Sequence, residues 1–177
     1  NRHENPQVIY DTNIALVNQL KDALQKTNSQ AHILFSSSSQ EEKDNLYGKS
    51  KKEGREILAA WAESSGGTFT GLVIPNVFGP FGQPNYNSFI ATFCHKLTHG
   101  EQPKIEVDGE VNLIYVGELV TEIINQIRLG QSNFEYKIPY TSTNKVSAVL
   151  EKLENFKKLY FEGGEIPRLT TNFDYQL

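Results

Sequence analysis

Tyr47 and Lys51, four residues apart in YGKSK, are the side chains of this sequence best placed to do chemistry. On a helix that spacing sets them one turn apart on one face, a phenol beside a cation. A phenol titrates near pH 10, so proton transfer near neutrality benefits from a positive charge that lowers that value. Lowering it by about 3 units corresponds to about 4 kcal/mol of preferential stabilisation of the phenolate, which a close, part-buried ammonium supplies together with a second positive group. Spacing alone is weak evidence, since eight tyrosines and thirteen lysines scattered through 177 residues give about 0.6 such pairs by chance. Context strengthens it. One short polar stretch upstream, the apolar run AHILFS leads into the serine cluster 36–39, where a hydroxyl can share a carbonyl oxygen with Tyr47. A polar loop capping the next segment is the plain alternative for those serines.

The elements that must position these residues follow from periodicity. Ile14, Val17, Leu20 and Leu24 recur at helical steps between Asp11 and Thr27, with Asp11 or Thr12 as the cap. AHILFS is expected as a buried parallel strand. After QEEKDN, the residues Gly54, Ile57, Leu58 and Trp61 share a helical face up to SSGG, and TFTGLVI is the next buried strand. It feeds the loop PNVFGPFGQPNYN, followed by a helix through Phe89, Ile90, Phe93 and Leu97. KIEV and VNLIY flank an Asp108-Gly109 turn signal and are expected to pair as a hairpin. A helix carrying Leu119 to Ile127, a strand at FEYKI and a helix from Val146 to Phe156 complete the pattern, and residues 161–177 lose periodicity. Alternating helices and apolar strands predict an α/β fold with a parallel sheet, which takes ligands beyond the carboxyl ends of its strands. The serine cluster and the Asn/Pro/Gly loop both fall there.

Composition narrows the function. A net charge of -4 with scattered basic residues argues against nucleic acid, and no apolar run approaches the roughly eighteen residues of a membrane span. A lone cysteine, Cys94, forms no internal disulfide, and no signal-peptide pattern opens the chain, so the cytoplasm is expected. His3, His32, His95 and His99 match no zinc-ligand spacing, and no metal is expected. The absence of methionine and the opening NRHENP point to a chain that begins mid-protein.

FSSSSQ, YGKSK and IPNVFGP, in that order and spacing, resemble the extended short-chain dehydrogenases that act on nucleotide sugars. QPNYNSFIATFCHK and the opening NR are similar to the reductase domain of capsular-polysaccharide enzymes acting on a UDP-4-keto-6-deoxy-N-acetylhexosamine. The resemblance covers about residues 1–155. It implies the C-terminal part of a Rossmann-like sheet with flanking helices and a small substrate-binding region. Residues 1–160 would form a partial catalytic and sugar-binding domain, and 161–177 a linker or tail toward a further domain. By the same resemblance Tyr47 donates a proton to the 4-keto oxygen, Lys51 holds the nicotinamide ribose, and Ser38 binds that oxygen, with Ser37 and Ser39 as alternatives. Ile74 and Pro75 pack near the nicotinamide; Asn76, Asn85 and Asn87 hydrogen-bond the UDP-sugar; Asn13 orders the site. NADP is the implied cofactor, with NAD the alternative, and a homodimer is the implied assembly.

The sequence departs from that family in three places. It contains no GxGxxG turn for the pyrophosphate, so the chain alone is expected to bind the cofactor weakly and to be inactive. VNLIYVGEL, with Val111, Gly117 and Glu118, replaces the stretch where many relatives carry an arginine. Ser39 and Gln40 stand where dehydratases place Asp-Glu, which leaves no acid to eliminate water and favours reduction or epimerisation. A reductase is the leading expectation; an epimerase with tightly bound NAD and a non-catalytic sugar-nucleotide-binding module are the alternatives.

Overall fold

A computed structural model of the chain describes residues 5–177. His3 and the opening Asn1-Arg2 lie outside them. The contacts divide the chain into two units, Asn1–Pro75 with Thr121–Ile138, and Asn76–Val120 with Pro139–Leu177.

The first unit is a three-stranded parallel sheet in the order β1-β2-β5, with β1 at His32–Ser38, β2 at Thr68–Ile74 and β5 at Asn133–Lys137. Two long helices, α1 (Pro6–Lys26) and α2 (Leu46–Ser65), pack on each other, and α2 lies against the sheet. Their interface holds Val17, Leu24, Leu58, Trp61 and Phe69. The first helix starts earlier than its apolar pattern indicates: Pro6 supplies a first-turn φ, and the Asn5 side chain accepts from the Gln7 N–H. Asp11 lies inside the helix and accepts from the Gln7 side chain. Only Val17 and Leu24 of the expected stripe are buried; Leu20 is 41% exposed and Leu16 54%.

The second unit has the sheet order β3-β4-β6, formed by Asn76–Phe78, Glu110–Tyr115 and Ser142–Lys145. The β3 and β4 strands are parallel, and β4 and β6 antiparallel. Its core joins Phe78 and Leu113 to α3 (Phe89–Thr98) and α5 (Val146–Phe156). The α4 helix, Val116–Leu129, begins in this unit's sequence and continues into the first unit's.

The hairpin expected across Asp108-Gly109 does not form. Residues 104–107 are not a strand, and β4 takes β6 as its antiparallel partner. Asp108 instead receives the Ser147 N–H and hydroxyl, both at 2.8 Å, and the Val146 N–H reaches the Gly109 carbonyl. These satisfy the start of α5, whose own cap residue, Lys145, makes no side-chain cap bond. Residues 161–177 include a short helix, α6 (Asn172–Gln176), closed by a Thr171/Asp174 capping box. Phe173 packs edge-on against Phe78 with ring centroids 5.3 Å apart, so this segment joins the unit's core despite its irregular sequence.

Candidate functional site

The site is built at the carboxyl ends of β1 and β2, where Ser36, Ser37 and Ser38 pair with Leu72, Val73 and Ile74. Alternation along β1 puts Ser36 and Ser38 on one face and Ser37 on the other. Ser37 is buried, and its hydroxyl donates to Glu41. Ser38 ends the strand by capping a single 3-10 turn, Ser39–Glu42, its oxygen accepting from the Gln40 N–H at 3.2 Å. A hydroxyl has two lone pairs and one O–H, so that cap leaves the O–H able to donate.

The α2 helix then starts at Leu46, with the Asn45 side chain accepting from the Gly48 N–H at 2.7 Å. Its first turn lies directly on the 3-10 turn. A Cβ at position 48 would stand 2.0 Å from the Gln40 carbonyl oxygen, so only glycine permits this approach. The next turn carries Lys51, whose ammonium donates to the Ser36 carbonyl at 3.0 Å. It stands 5.9 Å from the centroid of the Tyr47 ring and 5.2 Å from that of Phe35, within cation-π range. Burial lowers the Lys51 pKa, opposed by the Glu41 carboxylate. Buried Ser50 donates to the Tyr47 carbonyl at 2.8 Å and accepts from Asn13 at 2.9 Å. Asn13 thus ties α1 to the turn of α2 that presents Tyr47.

Ile74, opposite Ser38 in the register, and Pro75 after it are half-buried. Tyr47, Lys51, Ser38, Ile74 and Pro75 all belong to the first unit. Asn76, Asn85 and Asn87 belong to the second and are exposed. The Asn76 side chain donates to the Asn112 carbonyl at 3.2 Å. Asn85 takes a left-handed φ of 55°, and its N–H donates to Thr92 at 2.8 Å. Glu118, in the VNLIYVGEL stretch, is a structural tie. It accepts from Thr141, Gln176 and the Tyr115 N–H, and these bonds outweigh the upward push of burial to lower its pKa.

Gly48 and Arg55 are among the residues of this region that escaped the sequence reading. Gly48 had a visible signal, a glycine in the first turn of a helix next to the proposed acid. Arg55 had none. It lies buried one turn beyond Lys51, bonded to Glu41 at 2.8 Å, in a stretch whose charges look solvated. Among the described residues no three His, Cys, Asp or Glu side chains cluster as a metal site, and no helix is long and apolar enough to cross a membrane.

A phenol beside an ammonium, at the carboxyl ends of parallel strands, is an arrangement suited to moving a proton at a carbonyl. A model of the NAD dependent epimerase/dehydratase family matches residues 1–138. The chain belongs to that family. Among curated proteins it is similar to a UDP-2-acetamido-2,6-beta-L-arabino-hexul-4-ose reductase of Pseudomonas aeruginosa, 36% identical over 121 residues, which cover 68% of this chain and 32% of that protein. Among solved structures it is similar to the capsular polysaccharide assembling protein CapF of Staphylococcus aureus, with 32% identity and a TM-score of 0.80 over 90% of this chain and 45% of that one. A UDP-glucose 4-epimerase of Thermotoga maritima shares the fold at 18% identity and a TM-score of 0.75, over 97% of this chain and 61% of that one. The chain spans a third of the curated relative's length and less than half of CapF's. The expected α/β fold, with a parallel sheet and flanking helices, and the family resemblance carried by FSSSSQ, YGKSK and IPNVFGP are both borne out.

Proposed function

We propose that this chain carries the catalytic and sugar-binding part of an NAD(P)H-dependent reductase, acting on a UDP-linked 4-keto-sugar in capsular or surface polysaccharide synthesis. Residues 1–160 hold that part. The observation that carries the reading is Lys51 anchored on the Ser36 carbonyl with its charge beside the Tyr47 ring. The reductase and CapF relatives support the substrate class, and the family description supports a nicotinamide cofactor.

The residues present fit the nicotinamide-ribose end of that cofactor. Among the described residues Lys51 makes its hydrogen bond to Ser36, and an ammonium carries three donors, which leaves N–H groups for ribose hydroxyls. Bound NAD(P)H supplies hydride to the carbonyl carbon. Tyr47 gives its phenolic proton to the carbonyl oxygen as charge builds there, and Lys51 stabilises the phenolate that remains. Ser38 donates its O–H to the same oxygen. Ile74 and Pro75 offer an apolar wall for the nicotinamide ring. Asn76, Asn85 and Asn87 keep the role of sugar-binding amides. We place the enzyme in the cytoplasm, with NADP as the cofactor and NAD as the alternative.

The epimerase reading draws on the family description, because the same tyrosine and lysine can remove a hydroxyl proton and later return it. The deciding experiment incubates the full-length protein with NADPH and a UDP-4-keto-6-deoxy-N-acetylhexosamine, following nicotinamide absorbance and sugar product together. Stoichiometric loss of NADPH is the expected result. Sugar conversion without net NADPH loss identifies an epimerase, and no conversion leaves a binding module.

A further inference from the structure

Among the described residues of the first unit, the Arg55–Glu41 ion pair is the deepest charged contact, with side chains 7% and 6% exposed. Arg55 grips the carboxylate with two nitrogens, Nε to Oε1 at 3.0 Å and Nη2 to Oε2 at 2.8 Å, and its Nη1 donates to the Phe134 carbonyl of β5 at 2.8 Å. The same carboxylate accepts the Ser37 hydroxyl. The middle of β2 is shaped around this arm. A Cβ at Gly71 would meet Arg55 Cδ at 2.5 Å and Cγ at 2.7 Å, so a strand position that ordinarily takes a side chain is left bare for the arginine to cross. A buried pair of this kind is weak evidence for added stability, because apolar replacements often do as well. Its place in the chain points elsewhere. Glu41 follows Ser38 by three residues, and Arg55 follows Lys51 by one helical turn.

We propose that Arg55 and Glu41 are positioning residues, which clamp the turn bearing Ser38 to the helix bearing Tyr47 and Lys51 and set the net charge that the Tyr47 phenol feels. This rests on the reductase reading for its catalytic meaning. The clamp fixes the hydroxyl against the phenol, where a displacement of about 1 Å can cost on the order of a hundredfold in rate. The charge argument is separate. The Glu41 carboxylate favours the charged form of Lys51, but its own negative charge offsets part of the field Lys51 exerts on Tyr47; paired with Arg55, that charge is cancelled and Lys51 keeps its effect on the phenol. Among the described residues, the other charged groups around the cluster include Lys52 and Glu56 of α2, Glu42 of the 3-10 turn, and Glu135 and Lys137 of β5; on the α1 side Glu53 is engaged by Tyr10.

The test uses Glu41→Gln, Arg55→Gln and Arg55→Lys in the full-length protein. Ketone reduction needs the protonated phenol, so activity falls as pH rises through the Tyr47 pKa. Arg55→Gln leaves an uncancelled carboxylate, and the alkaline limb of kcat moves up by about half a unit or more; Glu41→Gln moves it down by a similar amount. Arg55→Lys keeps the charge but loses the fork, so kcat drops about tenfold with the limb in place and the KM for the sugar within about twofold. The phenol is also titrated without substrate, as the ultraviolet difference between each variant and its Tyr47→Phe counterpart. Limbs and titrations that stay put, or that shift in the same direction in both glutamine variants, overturn the charge role; unchanged kcat in soluble Arg55→Lys overturns the clamp. If a glutamine variant does not fold, the Arg55→Lys kinetics and the remaining variant's titration still decide. Normal turnover in Tyr47→Phe defeats the reductase reading instead, while the titrations still report on the pair.

Discussion

Gly48→Ala places one methyl group where the structure has no room. The added carbon would lie 2.0 Å from the Gln40 oxygen, 2.7 Å from the Gln40 carbonyl carbon and 3.3 Å from the Glu41 nitrogen. All three are backbone atoms, so no rotamer change relieves the contact. To reach even a tight separation, the 3-10 turn or the helix must retreat by about 1 Å, and overpacking on that scale costs about 1–3 kcal/mol. For a chain of this size that corresponds to a fall in Tm of roughly 2–12 °C. The same retreat carries Ser38 away from Tyr47 and Lys51, so kcat should fall by on the order of a hundredfold, well beyond what lost stability explains at assay temperature. Gly109→Ala is the control, because a Cβ there meets nothing within 4 Å. Differential scanning calorimetry and steady-state kinetics on both variants of the full-length protein make the comparison. A Gly48→Ala protein with unchanged Tm and turnover would refute the claim that this approach sets the site.

Four further outcomes are expected. Tyr47→Phe cuts kcat by about 10²- to 10⁴-fold while calorimetric UDP-sugar affinity stays nearly constant, because the proton donor is lost with little contact area. The 177-residue chain alone shows no micromolar NADPH binding by calorimetry, since losing several pyrophosphate hydrogen bonds at about 1.5–3 kcal/mol each weakens affinity by orders of magnitude. The Asp174 carboxyl is held well below the usual range by Lys152 and by the Thr170 and Thr171 N–H groups. Its contribution to stability is therefore present above the ordinary carboxylate pKa of about 3.9 and lost as pH falls below it toward the depressed folded value, so acid titration of Asp174→Asn should be flatter there than that of wild type. The protein is expected to form a homodimer through the outer faces of α1 and α2, where Leu16 and Leu20 are exposed. Light scattering should then show the dimer in wild type and its loss in Leu16→Glu/Leu20→Glu.

Much of this was legible because it depends on local pattern. Helical steps in α3, α4 and α5, the short apolar stretches ILF of β1 and LVI of β2, and the serine cluster before YGKSK each reflect one element meeting one core. What was missed depends on partners distant in sequence. Asp108-Gly109 has the chemistry of a hairpin turn, yet its carboxylate is taken by Ser147 and β4 pairs with Ser142–Lys145, a stretch too polar to look like a strand. Asn172–Gln176 has no periodicity, but one phenylalanine seated on Phe78 and a capping box suffice to order it. Glu41 sits in QEEKDN, which looks fully solvated; the Ser37 hydroxyl and an arginine fourteen residues on, itself held by a strand carbonyl farther along the chain, make its burial tolerable.

The reach of Arg55 also has a temporal side. Its Phe134 acceptor comes 79 residues later in the chain. On a ribosome adding roughly 5–20 residues per second, that interval is about 4–16 s. For most of it, once synthesis has passed Ile74, β1, α2 and β2 are already made while the edge of β2 that will receive β5 is bare and one guanidinium hydrogen bond is unfilled. The second unit's first segment, Asn76–Val120, emerges inside this window. Vectorial synthesis therefore leaves the nascent first unit open as a docking edge for chaperones, or for the wrong strand, until residues 133–137 arrive to close it.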